Sequence, residues 1–108
     1  MNGPYRLELV KDYVEADSIG VYMLGRYADY IHYVGRSDEN LLSEIKHAAF
    51  YRDNRYVYFW YEYTTSPMRA YKLESKLWHK HEPSDNSNHP AKPWGSSWKC
   101  PTEGCPYC

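Results

Sequence analysis

The sequence predicts an α+β fold: a small, mostly antiparallel three-stranded sheet flanked by helices in the order β-β-α-β-α, followed by a loop-rich C-terminal tail. Three observations predict it. The chain has 108 residues, which suits one domain over 1–108. Runs of β-forming residues alternate with stretches of helical spacing. Five of the seven prolines follow residue 81.

The first part of the chain predicts a hairpin. Residues 5–10 form one candidate strand ahead of it. Residues 21–24 (Val-Tyr-Met-Leu) form the next strand, and residues 25–29 read as a hairpin connection. Residues 30–34 (Tyr-Ile-His-Tyr-Val) return as its antiparallel partner and end at a glycine.

Two helices and a central strand follow the hairpin. Asp38 is a suitable N-cap for a helix over 39–51, whose apolar residues have helical spacing. Residues 56–63 are dense in β-formers with little polar alternation, so both faces of this strand are expected to be covered. Ser66 as N-cap with proline at the first helical position predicts a helix over 67–81.

The charge and hydropathy exclude several classes of protein. The formal net charge is −1 and the pI is near 6.5, so no global basic field indicates a nucleic-acid partner. The chain lacks an apolar run long enough for a membrane span and lacks a signal-peptide pattern at its start. We therefore expect a cytoplasmic protein with no membrane association.

The three cysteines, Cys100, Cys105 and Cys108, lie in the last nine residues. An odd, clustered set is not a disulfide framework, and thiolates at this spacing suit Zn²⁺. Zinc needs a fourth ligand, which His89 or His81 would supply. The tail over 90–108 is thus a candidate zinc knuckle, and a reduced tail without metal is the alternative.

The helix over 67–81 has a basic face and a buried acid. Arg69, Lys72, Lys76 and Lys80 share one face at 100° per residue, which indicates either phosphate contacts or a solvated surface. Glu74 lies within the opposite, apolar arc. A carboxylate in a core is costly without a partner, so we expect a metal ion, an arginine or tyrosine hydroxyls beside it. A hydrogen-bonded structural glutamate is the plainer interpretation.

Two tripeptides flank the predicted hairpin: Gly20-Val21-Tyr22 and Tyr33-Val34-Gly35. The antiparallel return brings their tyrosines close together. With a helix, a strand and then a helix-borne Glu74 in this order, the chain resembles the GIY-YIG nuclease domain over about residues 18–89.

The resemblance implies a DNA endonuclease that hydrolyses phosphodiester bonds with one Mg²⁺ or Mn²⁺. It implies that Tyr22 helps to activate the attacking water and that Tyr33 shapes the site beside it. Glu74 would bind the divalent ion. His47 matches a site histidine of the first helix, and Asn86 or Asn88 matches an asparagine downstream of the glutamate. The basic residues Arg69, Lys72 and Lys76 would contact the nucleic acid.

One position departs from the family pattern. The usual arginine of the first helix falls at Glu44, or at Ser43 with a slip of one residue, and Glu44 would add negative charge near the phosphate. Arg36 follows the second motif and is the replacement that we expect. The alternative is a catalytically lapsed module that binds nucleic acid or a partner protein without cutting. For so short a chain, sequence specificity would call for a homodimer or a partner protein.

Overall fold

Helices cover both faces of a four-stranded antiparallel sheet with strand order β1-β4-β2-β3. The computed structural model describes residues 1–51, 55–86 and 88–105. No helix in these ranges is long and apolar enough to cross a bilayer. The elements in chain order are β1 (Asn2–Arg6), a 3-10 turn (Leu7–Leu9), α1 (Val10–Tyr13), β2 (Gly20–Gly25), β3 (Tyr33–Ser37), α2 (Leu41–Tyr51), β4 (Tyr58–Tyr63) and α3 (Pro67–His81).

The predicted α+β class and element order are confirmed, with one strand more than expected. The extra strand is β1, which pairs with β4 at the edge of the sheet. The candidate strand over 5–10 is therefore right only as far as Arg6. Beyond it the Leu7 N–H donates to the Val57 carbonyl at 2.7 Å, and the chain turns into helical structure that buries Val10.

The second strand of the hairpin is shifted toward the C-terminus relative to the prediction. It spans Tyr33–Ser37 instead of 30–34, and the glycine expected to end it pairs with Tyr22 in mid-strand. Ile31 and His32 are buried in the connecting loop, where the His32 N–H donates to the Leu24 carbonyl at 2.9 Å. Their β propensity reflects burial and not strand pairing.

Helix α2 begins two residues later than predicted. The Asn40 side chain accepts a hydrogen bond from the Ser43 N–H at 3.0 Å, so Asn40 is the N-cap and not Asp38. Before it, the Ser37 hydroxyl accepts from the backbone N–H of Asn40 at 2.7 Å. Asp38 is thereby left to pair with Arg36 at 3.2 Å.

The two faces of the sheet bury different sides of the same strands, as expected for the aromatic strand over 56–63. On β2, Tyr22 and Leu24 point into a cluster with α2, and Val21 and Met23 point into a cluster with α3. The Tyr22 cluster also contains Leu41, Ile45, Phe59 and Tyr61, and the Val21 cluster contains Val34, Trp60, Ala70 and Leu77.

Helix α3 follows the prediction closely. The Ser66 hydroxyl accepts from the Arg69 N–H at 3.2 Å, and the helix ends where Glu82 adopts the left-handed conformation with φ 45°. Glu74 is 8% exposed and Ser75 is fully buried. The predicted burial of Glu74 is thus confirmed.

The segment after α3 returns to the hairpin through Asp85. Its carboxylate accepts from Tyr56 at 2.6 Å and from Arg26 at 3.1 Å. Burial acts to raise the pKa of Asp85, but the Tyr56 hydrogen bond and the nearby charges of Arg26 and His32 outweigh burial and hold this pKa below its ordinary value.

Candidate active site and candidate metal centre

A cleft of about 450 Å³ opens at β3, which is an edge strand of the sheet. We call it the β3 cleft. Helices α2 and α3 lie on opposite faces of the sheet. Because the cleft opens at the sheet edge, residues from both helical layers line it. Its lining includes Tyr22, Tyr33, Arg36, Glu44, Glu74 and Ala91. The structure thus brings the two motif tyrosines, the expected arginine and the expected glutamate into one cleft.

Tyr22 is held in the cleft by its cross-strand partner, Gly35. The two residues face each other in the β2–β3 ladder. A methyl group at position 35 would lie 2.4 Å from both the Cζ and the Oη of Tyr22, so the phenol rests where a side chain would otherwise be. Tyr33 lies on the same face, with its ring centroid 6.0 Å from that of Tyr22.

The Tyr22 hydroxyl is buried, and within the described ranges no atom meets the distance and angle limits of a hydrogen bond to it. Burial raises the pKa of Tyr22 well above its usual value, and the neighbouring Tyr33 and Glu44 raise it further. The phenol is therefore neutral at physiological pH in this state. A positive charge in the cleft favours loss of its proton, and only the resulting phenolate can accept a proton from water.

Arg36 of β3 and Glu74 in the middle of α3 form an ion pair. The Arg36 Nη1 lies 2.5 Å from the Glu74 Oε1, and its Nε lies 3.2 Å from the Asp38 Oδ1. The Arg36 guanidinium carbon also lies 5.3 Å from the centroid of the Tyr71 ring. Of the partners expected for Glu74, the arginine is the one that the structure supplies.

Burial raises the pKa of Glu74 to about 7, against the opposing effect of Arg36 and with a further rise from Asp38. The cleft is acidic despite this pair: four carboxylates face one guanidinium, namely those of Asp38, Glu39, Glu44 and Glu74. An acidic cleft with hard oxygen donors and an unsatisfied phenol fits a divalent cation better than a bare phosphate.

The histidine and the two candidate asparagines expected at the site lie elsewhere. His47 is exposed on α2 and is not part of the cleft lining. The Asn86 side chain pairs with the backbone of Val34, donating to its carbonyl at 2.7 Å and accepting from its N–H at 3.3 Å. Asn86 therefore extends the edge of β3 instead of entering the cleft, and Asn88 is exposed.

The basic face of α3 is exposed as expected. Arg69, Lys72 and Lys76 line a depression of about 430 Å³ together with Tyr63 and Pro101. The depression joins the side of α3 to the C-terminal segment. None of these three cations lines the acidic β3 cleft.

A second cluster joins α3 to the C-terminal segment. We call it the His–Cys cluster; it consists of His79, His89, Cys100 and Cys105. One ligand atom from each residue lies within 4.8 Å of the others, so the group is compatible with a metal ion. Three of its members, His89, Cys100 and Cys105, are zinc ligands that the sequence predicted. The other predicted ligand, Cys108, lies outside the described residues.

His79 is the member that the predicted ligand set did not include. A histidine beside Lys80 at the end of α3 is a possible zinc ligand, but this position favours solvent exposure, and Lys80 is indeed exposed. One helical step away, however, the His79 ring turns toward the C-terminal segment, with its centroid 5.2 Å from that of His89. The usable signal was a histidine on the helix that precedes a Cys-bearing tail.

No protein-family model matches the chain, and no curated protein or solved structure is significantly similar to it.

Proposed function

We propose that the β3 cleft is the site of a GIY-YIG-type, metal-dependent endonuclease that hydrolyses phosphodiester bonds of DNA. The observation that supports this proposal is the convergence of Tyr22, Tyr33, Arg36 and Glu74 on one cleft from three elements of the fold. Phosphodiester hydrolysis needs an activated water, charge neutralisation on the phosphate and help for the leaving oxygen.

The donor set fits one Mg²⁺ or Mn²⁺. Glu74 is the buried carboxylate that would hold the ion, because Mg²⁺ is held by one or two carboxylates with waters and phosphate oxygens completing its shell. When bound, such an ion supplies positive charge to the phosphate and makes a nearby water more acidic. Binding requires Glu74 to loosen its contact with Arg36, which remains paired with Asp38.

Each side chain then has a defined task. The buried Tyr22 hydroxyl would orient the attacking water, or, once a bound cation has favoured loss of the phenol proton to solvent, its phenolate would accept a proton from that water. Tyr33 packs beside that ring and limits where the water can lie. Arg36, once released from Glu74, contacts the phosphate oxygens with a forked donor. The exposed Arg69, Lys72 and Lys76 contact the DNA backbone at a distance from the reaction.

The second ion of this proposal is Zn²⁺, bound by the Cys-bearing C-terminal segment. Thiolate and imidazole donors favour zinc over Mg²⁺, which prefers oxygen.

A catalytically lapsed nucleic-acid-binding module is the second candidate. Glu44 lines the cleft, and Arg36 is neutralised by Glu74. Both features oppose the approach of a phosphate. In this case the wild-type protein binds DNA and Mn²⁺ but does not cut, and Glu44→Arg raises cleavage by removing the repulsion and adding the missing cation.

The test is cleavage of supercoiled, branched and single-stranded DNA in the presence of Mg²⁺ or Mn²⁺. We expect cutting by the wild type and its abolition in Glu74→Gln, which keeps the shape of the side chain. Tyr22→Phe should reduce the rate by about 10²–10⁴-fold, the usual contribution of general acid–base catalysis.

Glu8→Gln serves as the control because it removes an exposed carboxylate outside the cleft. It should cut like the wild type. Equal cutting by wild type and Glu74→Gln would identify a contaminant and end the nuclease proposal. Absence of cutting by the wild type with retained DNA binding would favour the lapsed module.

A further inference from the structure

We propose that His79, His89, Cys100 and Cys105 form a closed, four-ligand Zn²⁺ site that clamps the C-terminal segment onto α3 and so positions one wall of the β3 cleft. The inference takes the zinc of the proposed function and assigns its ligands and its role. It does not depend on nuclease activity.

The ligand atoms are already gathered. All four lie within 4.8 Å of one another, whereas tetrahedral zinc with bonds of about 2.0–2.3 Å separates its ligands by about 3.3–3.8 Å. The Cys105 Sγ and the His89 Nε2 stand 3.5 Å apart, inside that range. Small adjustments of the remaining side chains would complete the tetrahedron.

The two histidines present the correct nitrogens. The His89 Nδ1 lies 2.9 Å from the carbonyl of Pro90, an arrangement that places a proton on Nδ1 and leaves the Nε2 lone pair facing Cys105. The His79 Nε2 is buried and has no hydrogen-bond partner among the described residues. A metal ion would satisfy this nitrogen, which is otherwise costly to bury.

The two cysteines are brought together by a turn. The Cys105 N–H donates to the Thr102 carbonyl at 3.3 Å, and Gly104 before it adopts φ 74°, which glycine accommodates without strain. The Thr102 N–H in turn points at the Cys100 Sγ at 3.4 Å, a contact that stabilises a thiolate. The sulfurs of both cysteines lie within 4.8 Å of the two histidine ligand atoms.

The ion would be structural because the segment has little else to order it. Over residues 90–105 the structure contains neither a helix nor a strand, and only Pro90 and Cys100 are buried. Trp94, the largest exposed side chain of this segment, is fully open to solvent. Fixing an irregular segment costs backbone entropy, and the binding of a structural zinc ion contributes free energy against that cost.

The clamp acts on the cleft through the segment between α3 and the cysteines. Asn86 caps the edge of β3 at Val34, between Tyr33 and the glycine on which Tyr22 rests. Ala91, two residues after the ligand His89, lines the cleft itself. Release of the ion would therefore free both the edge of β3 and this part of the cleft wall.

The first test is the metal content and first coordination shell of the full-length wild-type protein, purified under reducing conditions without chelators. We expect one zinc per chain by elemental analysis and two sulfur and two nitrogen neighbours by X-ray absorption at the zinc edge. Three sulfurs and one nitrogen would overturn the ligand set. Absence of metal, or a Cys100–Cys105 disulfide in the fresh protein, would overturn the site.

Single substitutions distinguish His79 from the other candidates for the fourth ligand, Cys108 and His81. His79→Ala should lose zinc, whereas Cys108→Ser should retain it. His81→Ala, which removes a histidine two residues along the same helix, is the matched control and should also retain zinc. Loss of zinc in Cys108→Ser together with its retention in His79→Ala would contradict the assignment.

Hydrogen exchange tests whether the zinc ion positions the edge of β3. We expect chelation of zinc from the folded protein to speed hydrogen exchange of the Val34 amide by at least about tenfold, with the amides of β4 unchanged. Unchanged exchange at Val34 in zinc-free, folded protein would overturn the clamp. Because neither readout measures DNA cleavage, failure of this inference is distinguishable from failure of the proposed nuclease.

Discussion

Two buried tyrosines are expected to respond in opposite directions to the loss of their hydroxyls. Tyr22 is 0% exposed and Tyr56 is 4% exposed, so the two phenols are comparably buried. The Tyr22 hydroxyl has no well-formed hydrogen bond in the described part of the chain, although Tyr33 lies beside it, whereas the Tyr56 hydroxyl donates to the Asp85 carboxylate at 2.6 Å. Tyr22→Phe should therefore stabilise the fold, and Tyr56→Phe should destabilise it.

The magnitudes follow from the burial of each group. Removing an unsatisfied buried hydroxyl recovers about 1 kcal/mol, at the low end of the desolvation cost of such groups. Removing a hydrogen bond to a charged acceptor costs about 1.5–3 kcal/mol. For 108 residues the entropy of unfolding is about 0.23 kcal/mol per degree, so Tm should rise by about 4 °C in Tyr22→Phe and fall by about 7–13 °C in Tyr56→Phe.

Thermal unfolding followed by circular dichroism, with both variants at the same zinc occupancy, provides the measurement. A loss of stability in Tyr22→Phe would show that the Tyr22 hydroxyl is hydrogen-bonded in the folded protein and is not held ready for a water molecule. Stabilisation of Tyr22→Phe together with loss of cleavage is the signature of a group kept for function at a cost in stability.

Three further predictions concern the frame around the cleft. Gly35→Ala should lower the free energy of unfolding by about 1–3 kcal/mol through overpacking against the fully buried Tyr22, and a neutral result in denaturant titration would mean that the ring moves freely. The pKa of Asp85 is lower in the folded than in the unfolded protein, where it is about 4. The ionised Asp85 therefore contributes to stability above that pH, and this contribution is lost as the pH falls through the folded-state pKa. Tm should thus fall less steeply with decreasing pH in Asp85→Asn than in the wild type, and equal slopes of Tm against pH in the two proteins would contradict this prediction. Glu82→Gly should raise Tm by a few degrees, since relief of about 1–2 kcal/mol of left-handed strain exceeds the entropic penalty of glycine; a lower Tm would contradict this.

Local patterns predicted most of the fold because they are enforced by nearby atoms. The Ser66 cap and its proline placed α3 at its true start, and the position of Glu74 in the apolar arc predicted its burial. Features set by distant segments were missed. The candidate strand near the N-terminus was predicted, but its pairing with β4, which makes the sheet four-stranded, was not. Ile31 and His32 lie in a loop because the hairpin register begins at Tyr33.

In the candidate sites, too, the features set by local patterns were predicted and those set by distant segments were not. The two motif tyrosines follow from strand periodicity and hairpin return, and they do share one cleft. The pairing of Arg36 with Glu74 spans 38 positions, so the sequence could offer arginine only as one partner among several. His79 joins the His–Cys cluster only through the path of the C-terminal segment, which contains no periodic pattern from which to infer it.

The most direct test of the central proposal is a crystal structure of the full chain with Mn²⁺ and a short DNA, with the ion located by its anomalous signal. We predict one Mn²⁺ on the Glu74 carboxylate in the β3 cleft, with Arg36 turned to the phosphate and the Tyr22 hydroxyl facing the scissile group. A cleft without Mn²⁺ at saturating concentration, with the Arg36–Glu74 pair intact and the DNA bound elsewhere, would contradict it.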